Sequence, residues 1–379
     1  GMKESNELIR LYELKKDIKE QLETILSNDS IRKASKDSHA YRRPRPCGIT
    51  IHSGHGCVFE CVYCYIYDMG FPKGRVSPYP LSSLELVYAL TINPYIVPER
   101  TLAAYGSVTE PLLPTLKVKT LSYIREVWRW LKLPSQISTK GYIDEGLAKE
   151  LKNAEPNLSV LVTVITIKFS RILEPKAPDP KLRFKGALNA SKQGLRVDLF
   201  LRPIIPGIAE KEYRDILNLA VKHGIKGVVV GSLRITANIL KNLENVGISI
   251  NNIVSRVQGI NPFRLKGSRQ VSITTSDIKE LIRKYAVRLG LDFMQSACSA
   301  NIIAHGLGCK LCKFGPCGKS FMYIKEERIK EFLEFLGLRN FKIDVKHNLV
   351  KVLLGDGRID RKWLQYYISE VYKLPVSVK

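Results

Sequence analysis

Nothing in the 379-residue chain is long and apolar enough to cross a bilayer. The longest strongly apolar run, Leu158 to Ile167 (LSVLVTVITI), stops far short of the ~20 residues a membrane helix needs, and its β-branched content suits a buried strand. A signal peptide is missing too, and Gly1-Met2 reads as an expression scar ahead of the native start. A soluble, cytoplasmic protein without membrane partners is therefore expected. Low-complexity tracts and repeats of roughly 20 to 50 residues are also absent, which excludes solenoid and propeller arrays.

Acidic residues are scarce: 36 Asp+Glu stand against 60 Lys+Arg, a formal charge of +24. That exceeds the roughly 2 to 8 charges suited to a small soluble domain and makes a polyanion, nucleic acid first, the natural partner. A basic proteome or a solvated mixed surface gives the same sum, so charge fits nucleic acid without establishing it.

What is present is cysteine. Eight without a secretory signal argue against a disulfide framework and for metal or redox chemistry in a reducing compartment. Six fall in two groups, Cys57/Cys61/Cys64 and Cys309/Cys312/Cys317, with Cys47 and Cys298 as singles nearby.

Residues 6–26 place Leu8, Leu11, Leu14, Ile18, Leu22 and Ile25 at helical spacing, with Ser5 or Asn6 as N-cap. They predict an amphipathic helix packed on a larger body. Ser27 to Pro46 runs polar and basic, with Arg42, Arg43 and Arg45 beside Tyr41, and reads as an extended arm. From 47 to 300, β-branched runs near 48–53, 101–106, 135–139, 159–166, 197–202 and 226–231 alternate with helix-like stretches at 114–131, 144–153, 179–193 and 210–223. That alternation predicts an α/β protein with a partial (β/α)6 barrel, whose active site lies at the strands' C-terminal ends. A Cys-rich segment at 301–320 follows. Residues 321–379 then predict a small α+β unit: a helix near 325–336, strands near 340–346 and 349–354, a helix near 359–373 and a terminal strand.

The C-x3-C-x2-C spacing of Cys57, Cys61 and Cys64 arises by chance in below about one in a hundred chains of this cysteine content. Three thiolates on one loop would leave one iron of a [4Fe-4S] cluster open to an exogenous ligand. S-adenosylmethionine (SAM) chelating that iron could be cleaved reductively to a 5′-deoxyadenosyl radical, leaving the protein to position the substrate and exclude water. The triad follows the first predicted strand, and Gly54 and Gly56 give the backbone room to wrap a cluster. Zinc fits less well, since only one C-x2-C pair is present.

At these residues the chain resembles the radical SAM superfamily, and more narrowly the spore photoproduct lyase-like (DNA-repair-photolyase-like) group. The marks are GCVFECVYCY (56–65), SVTEPLLP (107–114), ISTKG (137–141), LEPKAPDPKLR (173–183) and LRPIIPG (201–207). The resemblance implies that Cys57, Cys61 and Cys64 hold the cluster and that Tyr63 lies against the adenine. It implies that Thr109 and Glu110 meet the SAM amino group, that Ser138 and Lys140 contact its carboxylate, and that Arg202 with Pro203 to Gly207 closes the far side. Tyr63 and Tyr65 match tyrosines beside the last cluster cysteine of spore photoproduct lyase and are the candidate catalytic residues. An electron donor such as ferredoxin or flavodoxin is implied as partner. The chain departs from that enzyme where a cysteine ahead of a T-S-D segment returns hydrogen to the product radical. Ser107 stands there, and its O–H bond is too strong to give up a hydrogen atom readily. Direct reversal of a thymine lesion by that route is not expected.

The second group, GCKLCKFGPCGKS (308–320), gives C-x2-C-x4-C, with Cys298 upstream and His305 four residues before Cys309. Cys298, Cys309, Cys312 and Cys317 are candidate ligands of an auxiliary iron-sulfur cluster or a structural zinc. Lys310, Lys313 and Lys319 would offset thiolate charge. Cys47 reads as a small apolar core residue. Three functions remain open: a radical SAM enzyme of nucleic-acid repair or modification, one acting on a peptide, lipid or small metabolite with the second group on the substrate side, or a non-catalytic metal-stabilised nucleic-acid-binding protein.

Overall fold

The apolar run at 158–167 supplies the central strand of a parallel sheet. A computed structural model describes residues 5–44, 47–71, 73–346, 349–355 and 357–379; Gly1-Met2 and Arg45 of the basic arm lie outside the described residues. Seven parallel strands run in chain order across the sheet: β1 (Ile49–Ile51), β2 (Ala103–Tyr105), β3 (Ser135–Thr139), β4 (Ser159–Thr163), β5 (Val197–Ile204), β6 (Gly227–Ser232) and β7 (Asp292–Met294). The first six coincide with the expected runs. The seventh goes beyond the expected six, because three residues beginning with aspartate carry no alternating apolar signal.

Alternation along the strands decides what faces what. Ile137, Val160, Val162, Leu199, Leu201, Val228 and Val230 point outward into one large core. Helices of the outer layer cover that face: α3 (Ser83–Ile92), α4 (Lys117–Leu131), α5 (Glu145–Ala154), α6 (Pro180–Lys192), α7 (Ala209–Lys222) and α9 (Ser276–Arg288). The intervening residues face the lumen, and there Leu161, Val229, Met294 and Phe200 pack on Ala297, Ala300 and Ile303 of α10 (Ala297–Ala304). This helix closes the base of the barrel. Gln136 Nε2 donates to the Ala297 carbonyl at 2.9 Å, and Asn301 Nδ2 donates to the carbonyl of Pro134, just ahead of β3, at 3.0 Å. Burying an apolar residue of this size contributes about 1.5–3 kcal/mol, so the plug replaces the side-chain layers that fill an ordinary barrel.

The N-terminal region departs from the extended arm expected at 27–46. After α1 (Glu7–Ile25), capped by Asn6, one of the two expected candidates, a second helix α2 (Asn28–Lys36) forms, with the Ser27 hydroxyl accepting from Ser30 N. The polar composition hid it. Arg42 bonds the Thr50 hydroxyl and carbonyl at 2.8 and 2.7 Å, and Arg43 stacks on Tyr95 and Tyr366. Both arginines thus have protein partners. Leu8 and Leu11 of α1 join the core of the C-terminal unit, whereas Ile18 and Leu22 join that of the barrel. The C-terminal unit contains α11 (Glu326–Phe335), the β8 (Phe341–Lys346) and β9 (Leu349–Leu354) hairpin, α12 (Arg361–Tyr372) and β10 (Val376–Val378), which lies parallel to β9.

Between β6 and β7 stands an insertion, residues 233–275, that includes α8 (Ala237–Asn245). Its apolar residues, among them Ile235, Ile239, Leu240 and Ile273, pack with Phe59, Cys61 and Tyr63 of the triad loop. Thr236 and Asn238 both donate to the Asp68 carboxylate at 2.8 Å.

Candidate active site

The triad loop leaves the C-terminal end of β1 through Gly54 and Gly56, and the geometry requires both glycines. A Cβ on Gly54 would stand 2.7 Å from Leu116 Cδ1, and Gly56 has φ of +82°. The segment after β4 fastens the loop, since Val62 N donates to the Leu173 carbonyl at 2.8 Å and Lys176 pairs with Glu60 at 2.7 Å. Cys61 is buried, and Cys57 and Cys64 are partly so. Burial pushes the Cys61 thiol up to about 12 and raises Cys57 and Cys64, while Lys140 pulls all three down. A thiolate set there needs a positive partner.

Lys140 is such a partner, one residue past β3. Burial disfavours its charge, but Cys61, Glu174, Cys64 and Glu110 together outweigh that and raise it. Its ammonium stands 5.7 Å from the Tyr63 ring centroid. Glu110 is buried and held from the other side: Thr139 Oγ1 donates to Oε1, and Lys140 N to Oε2 at 3.0 Å. Burial raises Glu110, against the pull of the Thr139 hydroxyl and the Lys140 N–H. Thr109 donates its hydroxyl to the Gly56 carbonyl, tying the end of β2 to the triad loop. Gly106 lets the end of β2 pass close to β3, since a Cβ there would lie 2.5 Å from the Ser138 carbonyl oxygen.

Strand alternation puts Ser138 of β3 and Arg202 of β5 on the lumen side, above Gln136 and Phe200. Arg202 is exposed and lies 5.6 Å over the Phe200 ring, and no carboxylate pairs with it among the described residues. Tyr63 is buried and donates its hydroxyl to Glu174 Oε2; Tyr65 makes no side-chain hydrogen bond among the described residues. The structure thus brings Cys57, Cys61, Cys64, Tyr63, Thr109, Glu110, Ser138, Lys140 and Arg202 to one end of the barrel.

Sequence reasoning missed the support beneath them. Glu174 and Arg183 form a fully buried pair at 2.8 Å; Arg183 also donates to the Pro178 and Thr163 carbonyls at 2.8 and 3.1 Å. Both residues sit in the 173–183 motif, and the available signal was two opposite charges at the ends of a proline-rich stretch. The Arg183 Nη2 and Ser107 Oγ atoms are buried without a partner among the described residues. Orphaned polar atoms beside three thiols and a raised lysine fit a polar cofactor and a thiolate-held cluster. These are the residues that would hold SAM and a [4Fe-4S] cluster.

The second cysteine group lies at the other end. Cys298, on α10, and Cys309 and Cys317 share an apolar cluster with Leu102, which immediately precedes β2. His305 is not with them: Nδ1 bonds the Asn301 carbonyl at 3.0 Å and Nε2 the Glu155 carboxylate at 2.5 Å. Cys47 is exposed rather than a core residue, and its thiol meets that of Cys298. Among the described residues no three His, Cys, Asp or Glu side chains stand at the spacing of one metal ion, in either group. No helix among them is long and apolar enough to cross a membrane.

No family model matches the chain. An uncharacterized protein of Acidianus two-tailed virus is 26% identical over 218 residues, covering 49% of this chain and 71% of that protein. Among solved structures, a spore photoproduct lyase variant with bound AdoMet and a dinucleoside spore photoproduct superposes with a TM-score of 0.56 at 14% identity, over 69% of this chain and 83% of that one. A second variant of the same enzyme gives 0.55 at 14%, over 66% and 78%. These likenesses show the fold and bear out the partial barrel expected from the sequence.

Proposed function

We propose that this chain is a radical SAM enzyme that acts on nucleic acid. The observation that carries the chemistry is the convergence of three thiols, Lys140 and Glu110 past the C-terminal ends of β1, β2 and β3. When bound, the cluster and SAM supply reductive cleavage of SAM to a 5′-deoxyadenosyl radical. The chain's own residues do the rest. Lys140 offsets thiolate charge and faces a carboxylate, Glu110 is aimed by Thr139 and Lys140 N–H to accept from an ammonium, and Arg202 brings an unpaired cation to the far side. The Tyr63 hydroxyl is engaged by Glu174, so its role is to present the ring; Tyr65 is the tyrosine left to exchange a proton or hydrogen with substrate.

The nucleic-acid half rests on the insertion packed over the triad loop. Residues 255–270 contain Arg256, Arg264, Lys266 and Arg269 and no acid, and Arg264, Lys266 and Arg269 are exposed beside exposed Ile260 and Phe263. Cations interleaved with an aromatic suit phosphate contact and base stacking. Two assays test the proposal. Anaerobic reconstitution with dithionite and SAM yields 5′-deoxyadenosine, lost in Cys64→Ala; its absence in the unaltered protein sinks the enzyme reading. Fluorescence polarisation shows salt-dependent binding of DNA or RNA; no binding at low salt sinks the substrate class.

A further inference from the structure

Five cysteines line one cavity of about 20 Å³ at the base of the barrel: Cys47, Cys298, Cys309, Cys312 and Cys317, with Lys373 beside them. The chemistry proposed at the mouth uses none of them. They arrive from stretches remote in sequence. Cys47 precedes β1, Cys298 lies on the plug helix α10, and Cys309 and Cys317 are cross-strand partners in a short hairpin whose loop contains Cys312. The Cys47 and Cys298 thiols are hydrogen-bonded, and Cys298 Sγ lies 2.8 Å from Ser296 Oγ. The cavity exceeds the roughly 10–15 Å³ that one water needs, yet its walls are thiols and apolar side chains such as Leu102 and Ile302, which offer water few partners. Free cysteine often packs as a small apolar side chain; what packing alone does not explain is five of them, from separate stretches, meeting at one cavity. Thiolate softness selects zinc or iron over magnesium and calcium.

We propose that Cys47, Cys298, Cys309 and Cys317, with Cys312 at the rim, hold a thiophilic metal centre that fastens three parts of the chain. These are the segment leading into β1, the plug helix and the C-terminal unit. The last is joined because Lys310 N donates to the Lys373 carbonyl at 2.8 Å. Zinc and an iron-sulfur cluster share this ligand chemistry, and either draws the thiols inward from the walls they occupy here. The role is structural, since the site lies where β1 and β2 begin, at the end away from Glu110, Lys140 and Arg202. That position opposes a substrate-side cluster.

This inference does not rest on the function proposed above, and its test removes the first triad. A Cys57→Ala/Cys61→Ala/Cys64→Ala variant, purified anaerobically, retains about one zinc, or about four irons with matching sulfide, per chain. Adding Cys47→Ser and Cys298→Ser removes that metal. Zinc or iron identifies the centre, and either supports it. A folded triple variant with neither metal overturns the proposal, as does a Cys47–Cys298 disulfide found by mass spectrometry in metal-free protein. Should the triple variant not fold, the single Cys47→Ser and Cys298→Ser proteins decide. Each loses the second metal and melts at lower temperature. Unchanged metal content in both overturns the proposal.

Discussion

The two ends of the barrel use cysteine in opposite surroundings. At the mouth, three thiols share their space with Lys140, Glu110 and the buried Glu174–Arg183 pair, and Arg183 Nη2 and Ser107 Oγ lack partners among the described residues. At the base, five thiols share theirs with Leu102 and Ile302, and the nearby Lys373 is already engaged by Glu370. Unsatisfied polarity favours a charged guest that comes and goes; thiols gathered against apolar walls favour a permanent one. On the two proposals above, the same side chain would serve exchange at one end and fastening at the other.

The comparison breaks first at the triad. Cys64→Ala is expected to abolish 5′-deoxyadenosine formation, a loss of more than about a hundredfold, with the melting temperature little changed; a product assay with a thermal melt checks both. Beneath the mouth, Glu174→Gln leaves Arg183 buried and unpaired and costs about 3–5 kcal/mol, measured by chemical denaturation. A loss below about 1 kcal/mol would mean that the pair adds nothing to the fold. Lys140→Met is expected to raise the KM for SAM about tenfold or more, because a buried charge partner is removed.

Smaller effects sharpen the contrast. Burial raises Glu110, so the carboxylate that faces an ammonium is lost as pH falls through a value above the ordinary ~4.3 of glutamate. The acid limb of kcat/KM for SAM therefore lies above that value, and Glu110→Gln removes the limb along with most of the activity. Smallest, an Arg264→Ala/Arg269→Ala protein should keep SAM cleavage within about twofold, while its salt slope for nucleic-acid binding falls by about 1 for each phosphate no longer neutralised.

Strong local patterns were legible in the sequence. Six strands, the Asn6 cap and the C-terminal helices announced themselves through period and composition, and the triad through spacing. What stayed hidden depends on tertiary placement. The plug helix ACSANIIA is apolar on nearly every side, so periodicity gives it no direction, and only the lumen it fills explains it. The pairing of Cys47 with Cys298 joins residues before the first strand and after the last, which spacing cannot connect. Glu174 and Arg183 lie nine residues apart in one motif, and nothing in their spacing says that the fold buries them against each other.

The seven-stranded sheet is filled at its base by α10 but has two edges, β1 and β7. Nothing can be threaded along the barrel axis past α10, and whatever reacts must arrive from the rim or from the seam between those edges. Were the substrate the nucleic acid proposed above, one nucleotide turned out of its stack would reach the mouth. The cost of unstacking that nucleotide would then contribute to selectivity, and damaged or unpaired positions, already loosened, would enter first.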